Sequence, residues 1–251
     1  MQVANKRIFV DLRDKAAIQL FLDNNLPHEI GLQKLLTNII TDSKDICFYD
    51  IGANIGYYTL LFSESSNIKE IYSFEPSPVL SQNLRESLKD NSKVKILNLG
   101  LSDIVSEKEF FLNKDSSNLS SFIKLTKASA LKVKVDTLDH LISSGKINPP
   151  DLIKMDVEGY EFNVLKGFSL INEYNPIIIM EYAENFAIKM KYNLNSISEY
   201  LGDSWRIHRI NNLGYLNNNL VLNEDSSNDY LLIKKDHKYF NTLIENLVYA
   251  G

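Results

Sequence analysis

The sequence predicts an α/β fold in which a doubly wound, mostly parallel sheet carries helices on both faces. A strand-like run ends at Asp50 and leads through a glycine-rich turn into the helix-like segment 57–62. Further apolar runs, ending at Glu75, Met155 and Glu181, alternate with helical patterns, as a wound parallel sheet requires. A sheet of this kind binds its ligand where the carboxyl ends of the strands meet.

The composition bounds the class of protein. The chain has 251 residues, of which 44% are hydrophobic and 24% charged, as in soluble globular proteins. A net charge of −5 argues against nucleic acid as a partner. The single cysteine, Cys47, excludes an internal disulfide and is expected to be a buried hydrophobe. The opening residues have no signal-peptide pattern and no run could span a membrane, so a cytoplasmic, and from its Asn, Lys and Ile content bacterial, protein is expected.

The turn after the first strand has the composition of a ligand loop. Its residues Gly52, Ala53, Asn54 and Gly56 let the backbone approach a ligand and lead into the start of a helix. The G-x-x-x-G spacing differs from phosphate-binding fingerprints, and the carboxylate of Asp50 would repel a phosphate. The same carboxylate would attract the ammonium and sulfonium groups of S-adenosylmethionine. Alternatively, Asp50 caps the turn and the glycines only form it.

A second acid supports the nucleoside interpretation. Glu75 ends the next strand, 19 residues after Gly56, close to the spacing at which an acid reaches ribose hydroxyls. Both acids fit an adenosine ligand with a positively charged far end. A third strand-like run is expected to end near Ser102 and Asp103, which could border the adenine or form a surface turn.

Two regions flank or interrupt the alternation of strands and helices. Residues 1–45 predict a short strand and two helices, which pack on the sheet edge or form a substrate lid; residues 46–251 form the main globular unit. Residues 104–135 predict an antiparallel insertion of two strands around a polar loop. Toward the C-terminus, segments 205–210 and 229–235 predict an antiparallel pair and residues 237–250 a terminal helix.

Three carboxylates are candidates for the reacting end of the site. Asp156 and Glu158 follow the buried strand 151–155, and Glu181 ends the next strand. The carboxyl ends of neighbouring parallel strands lie at one edge of a sheet, so these side chains should face the ligand crevice. They could instead cap helix N-termini, which acids stabilise, or hold a divalent cation, which carboxylates prefer.

Together these residues resemble the FkbM family of S-adenosylmethionine-dependent methyltransferases. The matching stretches, in the family's order, are FYDIGANIGYYTLLF, IYSFEPSP, VKILNLGLSD, VKVDTLDHL, PPDLIKMDVEGYEFNVLKGF and IIIMEY, which cover roughly residues 46–182. The combination of D-x-G-A-N-x-G-x-x-T with K-x-D-V-E-G-x-E is much more specific than either motif alone.

The resemblance implies a class I methyltransferase with a seven-stranded sheet and a reversed final hairpin. It implies that S-adenosylmethionine is bound by Asp50, the glycine loop, Tyr58, Thr59 and Asp156, with Glu75 and Pro76 at the ribose. It further implies methyl transfer to oxygen, often on hydroxyls of sugars, glycolipids or related small molecules.

The chemistry implied gives the acids separate roles. Our hypothesis is that Asp156 accepts the proton of the acceptor hydroxyl or orients that hydroxyl, while Glu158 and Glu181 bind the acceptor. Alternatively, a divalent cation held by the cluster of acids could polarise the acceptor oxygen. The sequence does not show which residues would be the ligands of such a cation. The competing functions are a binding protein that keeps the fold without turnover and, less favoured by the glycine spacing, a nicotinamide oxidoreductase. The oligomeric state is open.

Overall fold

A computed structural model describes residues 2–3, 6–7, 9, 14–15, 29–113, 117, 120–124, 128–216, 228–241 and 243 of the chain. The strands are β1 Gln2–Val3, β2 Lys6–Arg7, β3 Ile46–Ile51, β4 Ile68–Phe74, β5 Val94–Leu97, β6 Gly100–Leu101, β7 Ser106–Asn113, β8 Ala128–Asp136, β9 Leu152–Met155, β10 Ile177–Tyr182, β11 Trp205–Arg209 and β12 Asn228–Lys234. The helices are α1 Ile30–Thr41, α2 Tyr57–Phe62, α3 Pro78–Leu88, α4 Leu138–Ser143, α5 Glu161–Lys166, α6 Ile171–Tyr174, α7 Glu184–Lys189 and α8 Leu194–Leu201.

Seven strands form the central sheet, in the order β11, β12, β10, β9, β3, β4, β5. The pairs from β10 through β9, β3 and β4 to β5 are parallel, whereas β12 is antiparallel to both of its neighbours. The prediction of a wound, mostly parallel sheet with a reversed final hairpin is therefore confirmed. The order switches direction between β3 and β9, which is where such a sheet opens a ligand crevice.

The sheet is buried on both faces, as its near-continuous apolar strands require. Alternate residues of β3 point to opposite sides: Tyr49 and Ile51 lie in one core, and Ile46 and Phe48 lie in the other. The first core holds helices α4 to α8. The second core holds α1 and part of α2.

Helix α1 shares the second core rather than standing apart from the sheet. Leu32, Leu35, Leu36, Ile39 and Ile40 are buried along one side of this helix, at the helical spacing that the sequence shows. They lie in one cluster with apolar residues of β3, β4, β9, β10 and β12. This helix thus contributes directly to the core of the main unit.

The helix signals in the sequence are confirmed where they are local. Ser77 caps α3 by accepting a hydrogen bond from the Leu80 backbone N–H at 3.4 Å, and Pro78 occupies the first helical position. Helix α5 spans the predicted residues and ends at Gly167.

The prediction of one strand reaching Ser102 and Asp103 is wrong. Strand β5 ends at Leu97, and the side-chain amide of Asn98 then donates to the carbonyls of Glu75 and Pro76, at 2.9 and 3.0 Å. The chain leaves the central sheet there. Strand β6 pairs with β8 in a separate sheet of order β6, β8, β7, whose β7 and β8 are antiparallel, which confirms the predicted insertion.

Several predictions fall largely outside the described residues. These are the helix expected over 14–25, much of the polar loop 114–122, the connection 211–228 beyond Leu216, and the terminal helix beyond Leu243. None of the helices in the described ranges is long and apolar enough to span a bilayer.

The place of α1 in the core can be tested by substitution. Leu35 is fully buried, so Leu35→Ala should lower the free energy of unfolding by about 2–5 kcal/mol, through lost burial and the cavity left behind. Urea denaturation followed by circular dichroism measures this change. The exposed neighbour Lys34 provides the matched control Lys34→Ala, expected within about 0.5 kcal/mol of the parent. Equal effects of the two substitutions would show that α1 does not belong to this core.

Candidate active site at the carboxyl edge of the sheet

A cleft opens at the carboxyl ends of β3, β4 and β9, where the strand order switches direction. Its empty space is about 560 Å³ with the open mouth included. The lining residues come from the glycine loop, the ends of β4 and β9, and the insertion. They are Ile51, Gly52, Asn54, Phe74, Glu75, Pro76, Leu80, Leu99, Gly100, Leu101, Phe110, Ser117, Ser120, Phe122, Asp156, Val157 and Glu158.

The glycine loop needs its glycines for two different reasons. Gly52 has φ +79°, and a Cβ there would lie 1.8 Å from the carbonyl oxygen of Asp156, so the loop could not approach β9. Gly56 has φ +84° and caps α2, and a Cβ there would meet the Leu84 side chain at 2.1 Å. Ala53 is buried in the cluster between α2 and α3. Gly52 and Asn54 line the cleft, whereas Ala53 and Gly56 support the loop from behind.

Asp50 lies beneath the loop and does not line the cleft. Its Oδ2 accepts hydrogen bonds from the Thr59 backbone N–H at 3.0 Å and the Thr59 hydroxyl at 2.5 Å. The Thr59 hydroxyl is also 2.7 Å from the Ser73 hydroxyl. Oδ1 of Asp50 has no hydrogen-bond partner among the described residues, and burial raises the pKa of this carboxyl. The carboxylate thus fixes the start of α2.

Glu75 lines the cleft at the end of β4. Its two oxygens accept the backbone N–H groups of Asn54 and Ser77, each at 2.8 Å. These bonds tie the glycine loop to the turn before α3. Burial raises the pKa of Glu75 to about 7, against the lowering effect of both hydrogen bonds. Glu75 and Pro76 therefore hold the rim of the cleft in place.

The apolar wall of the cleft is built by the insertion. Leu99, Gly100 and Leu101 line it together with Phe110 and Phe122, whose rings lie 5.1 Å apart in an edge-to-face contact. A Cβ on Gly100 would meet the Phe122 ring at 2.5 Å, so glycine is needed for this approach.

Ser102 and Asp103 lie outside the cleft. The hydroxyl of Ser102 donates to Asp103 at 2.9 Å, and Asp103 faces Lys166 of α5 at 3.7 Å. Hydrogen bonds lower the pKa of Asp103 despite partial burial. These residues join β6 to α5.

A buried lysine organises the acids at the end of β9. Lys154 is 5% exposed, and its ammonium lies 2.9 Å from Oδ2 of Asp156, which lines the cleft. Burial alone would lower the pKa of Lys154, but the charges of Asp156 and Asp50 outweigh burial and raise it. The Lys154 ammonium also lies 5.2 Å from the centre of the Tyr58 ring. Sequence reasoning missed this residue, although a charge within a buried strand signals a buried partner.

The charge of Asp156 raises the pKa values of both Glu158 and Glu181. Burial, and then the charge of Asp156, raises the pKa of Glu158 to about 9, and Glu158 lines the cleft. The charge of Asp156, and then burial, raises the pKa of Glu181 to about 10. Glu181 lines an adjoining cavity instead of the cleft. The three predicted carboxylates are therefore brought together, but they face two different spaces.

Two further acids complete the surroundings. Glu161 is buried and accepts from the Gly159 N–H at 3.0 Å and the Tyr192 hydroxyl at 2.5 Å, so it holds the turn before α5. Tyr58, predicted at the cofactor, is buried and donates its hydroxyl to Glu29 at 2.5 Å. Among the described residues, no three His, Cys, Asp or Glu side chains are grouped as a metal site requires.

The strand order and the cleft at the switch point place the chain in the class of Rossmann-like methyltransferases. The sequence profile of the Methyltransferase FkbM domain matches residues 50–216, more than half of the chain. The protein belongs to the FkbM methyltransferase family.

Several known proteins are similar to this chain in sequence or in structure. The hexuronic acid methyltransferase AglP of Haloferax volcanii is 28% identical over 153 residues, 60% of this chain and 62% of AglP. The chain thus spans less than two thirds of this relative. The crystal structure of methyltransferase FkbM from Methylobacillus flagellatus KT aligns with a TM-score of 0.46 and 16% identity, over 92% of this chain and 63% of that one. A Streptococcus mutans protein in complex with SAH aligns at a TM-score of 0.47 and 11% identity, over 80% and 96%.

The raised pKa of Glu181 predicts a pH-dependent stability. Because the folded pKa is about 10 and the ordinary value is 4.5, the proton stabilises the fold below pH 4.5, and this contribution is lost as the pH rises toward 10. Glutamine does not titrate, so the Glu181→Gln variant does not lose stability in this way as the pH rises. The melting temperature of Glu181→Gln relative to the parent should therefore be higher at about pH 8 than at about pH 5, by at least about 2–4 °C, the effect of 1 kcal/mol.

The matched control for this measurement is Glu199→Gln on the exposed side of α8, whose melting temperature should keep a constant offset from the parent. An offset for Glu181→Gln that is equally constant would show that Glu181 does not carry a raised pKa.

Proposed function

We propose that the protein is an S-adenosylmethionine-dependent O-methyltransferase that methylates a hydroxyl of a sugar, glycolipid or related small molecule. The observation that carries this proposal is the charge of the cleft. Its lining includes the carboxyl groups of Asp156 and Glu75, with Glu158 as a third acid that holds its proton at neutral pH, and no Lys or Arg among the residues that the structure describes. Such a cleft disfavours the pyrophosphate of a dinucleotide and favours a nucleoside with a cationic end.

The residues present fit this cofactor from end to end. Glu75, fixed by two backbone N–H groups, retains lone pairs for ribose hydroxyls. Phe110, Phe122 and Leu101 offer an apolar wall suited to an adenine ring. Gly52 and Asp156 at the other side offer close backbone approach and negative charge for the amino acid end. In this arrangement Ser102 and Asp103 support the adenine wall from outside the cleft. Asp50 influences the cofactor indirectly, through its electric field and through the loop position that its bonds to Thr59 fix.

When bound, the cofactor supplies an electrophilic methyl group on a sulfonium. Asp156 lies at the end of β9 with its side chain 24% exposed, so it can reach an acceptor while Lys154 holds its orientation. We assign Asp156 as the group that orients the acceptor hydroxyl and takes its proton as the oxygen attacks. Alignment of oxygen and methyl carbon supplies much of the rate in such a displacement.

Glu158 and Glu181 are suited to binding the acceptor rather than to accepting its proton. Their pKa values are raised to about 9 and about 10, so at neutral pH they carry protons and can both donate and accept hydrogen bonds. Sugar hydroxyls need partners of that kind.

The N-terminal segment and the insertion are suited to cover the cleft. The backbone N–H of Ser117 donates to Asp14 at 3.0 Å, and the Ser117 hydroxyl donates to Asn54 at 2.8 Å. Ser117 lines the cleft, so these bonds link residue 14, the insertion and the glycine loop over its mouth. This supports a lid role for part of residues 1–45.

Cofactor binding tests the proposal first. S-adenosylmethionine and its demethylated product should raise the melting temperature of the protein in proportion to affinity, whereas NAD should not. Glu75→Gln should weaken binding of the demethylated product about tenfold, the loss of about 1.4 kcal/mol for a charged hydrogen-bond acceptor. The exposed Glu86→Gln on α3 is the control. A shift with NAD alone, or no shift with any of these compounds, would contradict the proposal.

The role of Asp156 predicts a separation of turnover from binding. Asp156→Asn keeps the side-chain shape but removes the proton acceptor, so the turnover should fall by about 10²–10⁴. Because Asp156 also supplies negative charge at the amino acid end of the cofactor, isothermal titration should find cofactor affinity lowered by up to about tenfold, about 1.4 kcal/mol, which is well short of the loss in turnover. Labelled methyl transfer into fractionated glycan, lipid, protein and small-molecule pools measures the turnover. A variant that retains the full rate would remove Asp156 from this role.

A further inference from the structure

A second cavity adjoins the cleft on the side of β10 and β12. It measures about 1100 Å³ with its open mouth included. It lies between the start of α1, the carboxyl end of β10, the start of β12 and the residues that follow β11. The lining residues are Glu29, Ile30, Gly31, Leu32, Glu181, Ile210, Asn211, Asn212, Asn228 and Asp229. Among the described residues, its lining shares none with that of the cleft, but the charge of Asp156 is the largest cause of the raised pKa of Glu181, so the cavity lies on the Asp156 side of the cleft.

The cavity wall carries carboxylates in an arrangement that the fold does not need. Glu181 and Asp229 are direct partners in the antiparallel register of β10 and β12. Like charges directly opposite each other destabilise a sheet. Asp156 follows Met155, whose partner on β10 is Met180, so the row continues onto β9. The proton that Glu181 holds at neutral pH and the charge of Lys154 reduce this repulsion, so the row of acids can be kept at the ligand edge, where it points to use by a ligand.

The cavity also offers hydrogen-bond donors among these acceptors. Ile30, Gly31 and Leu32 form the first turn of α1, whose N–H groups have no partners within the helix. Oδ1 of Asn211 is occupied by the Leu213 and Tyr215 N–H groups, at 2.9 and 3.0 Å, so its amide group can only donate. A mixed wall of donors and acceptors matches hydroxyl groups.

The charge of the cavity is negative throughout the described lining. None of its lining residues is Lys or Arg, and the Lys154 ammonium is buried against Asp156. The half-charge of the α1 N-terminus is opposed by Glu29, which the Tyr58 hydroxyl contacts, and by Asp229. Burial, and then the charge of Glu29, raises the pKa of Asp229 to about 7, so above that pH it is ionised. An anionic ligand would be repelled.

We propose that this second cavity binds the methyl acceptor, and that the acceptor is a sugar unit without a carboxylate or phosphate, either neutral or carrying an amino group. The inference rests on the proposed function, since it names the acceptor class for the same site. It sets the chain apart from AglP, which is a hexuronic acid methyltransferase. Asp156 then stands at the border of the two spaces, between the cofactor cleft and the acceptor.

Sugar binding to the protein loaded with demethylated cofactor tests the inference. The probes are methyl glucoside, methyl glucosaminide and the methyl glycoside of glucuronic acid, which differ in charge on one ring. Saturation-transfer NMR at about pH 8 measures their dissociation constants. The neutral or amino probe should bind at least about tenfold more tightly than the uronide, because ionised carboxylates face the uronide charge.

Charge removal from the wall provides the second arm. Asp229→Asn keeps the side-chain shape and removes a charge that is present at pH 8, so it should reduce the preference against the uronide about threefold to tenfold. Glu181→Gln replaces a group that still holds its proton at this pH, so it should leave the preference within about twofold of the parent. Asp203→Asn, at an exposed position before β11, is the control and should leave the preference unchanged. Melting temperatures establish that each variant is folded.

The outcomes separate the two proposals. Uronide binding as tight as that of the neutral probe, a preference that Asp229→Asn leaves unchanged, or no sugar binding at all would each overturn the acceptor inference. Failure of the demethylated cofactor to bind, measured separately by titration calorimetry, would instead overturn the proposed function.

Discussion

The ion pair of Lys154 with Asp156 is the interaction on which the site depends. A lysine within a buried strand is stable only when its charge is matched, because an unpaired buried ammonium would cost several kcal/mol. The Lys154 ammonium lies 2.9 Å from Oδ2 of Asp156. Asp50 pairs with Lys154 in the register of β3 and β9 and lies on the same face of the sheet. The lysine in turn permits several carboxyls at one edge, since its charge offsets part of their mutual repulsion. Without it, acids on three adjacent strands could not share that edge.

Local features of this site were predictable, and features made by distant segments were not. The turn at Gly52, the cap at Ser77 and the helix after Glu158 follow from short stretches whose residues meet each other. The apolar wall of the cleft was missed because Phe110 and Phe122 come from an insertion that the sequence marks only as antiparallel strands. The prediction that Ser102 borders the adenine assumed that one strand continued to it. In the structure the strand ends at Leu97, and the side-chain amide of Asn98 donates hydrogen bonds to the carbonyls of Glu75 and Pro76 where the chain leaves the sheet.

The role of Asp50 could not be predicted from its charge alone, because the sequence does not show where its side chain points. Its position at the end of β3 predicted a carboxylate near a cationic ligand. In the alternation of β3, however, Asp50 follows Phe48 on the face that α1 and α2 cover, so its side chain points under the loop. The partner that it finds, Thr59, is the last fixed residue of the D-x-G-A-N-x-G-x-x-T motif. The motif therefore encodes a strut for the loop as much as a ligand contact.

The same alternation explains why the acids divide between two spaces. Lys154, Glu181 and Asp229 continue the rows of apolar residues that face α1, and α1 begins at Ile30, so this helix does not extend over the carboxyl edge of that face. Glu75 and Glu158 instead border the cleft beneath the insertion. Asp156 lines the cleft, and its charge also raises the pKa of Glu181, because it follows β9, the strand that lies between β3 and β10. A cation in the cleft would interact favourably with Asp156 from one side while Lys154 holds it from the other.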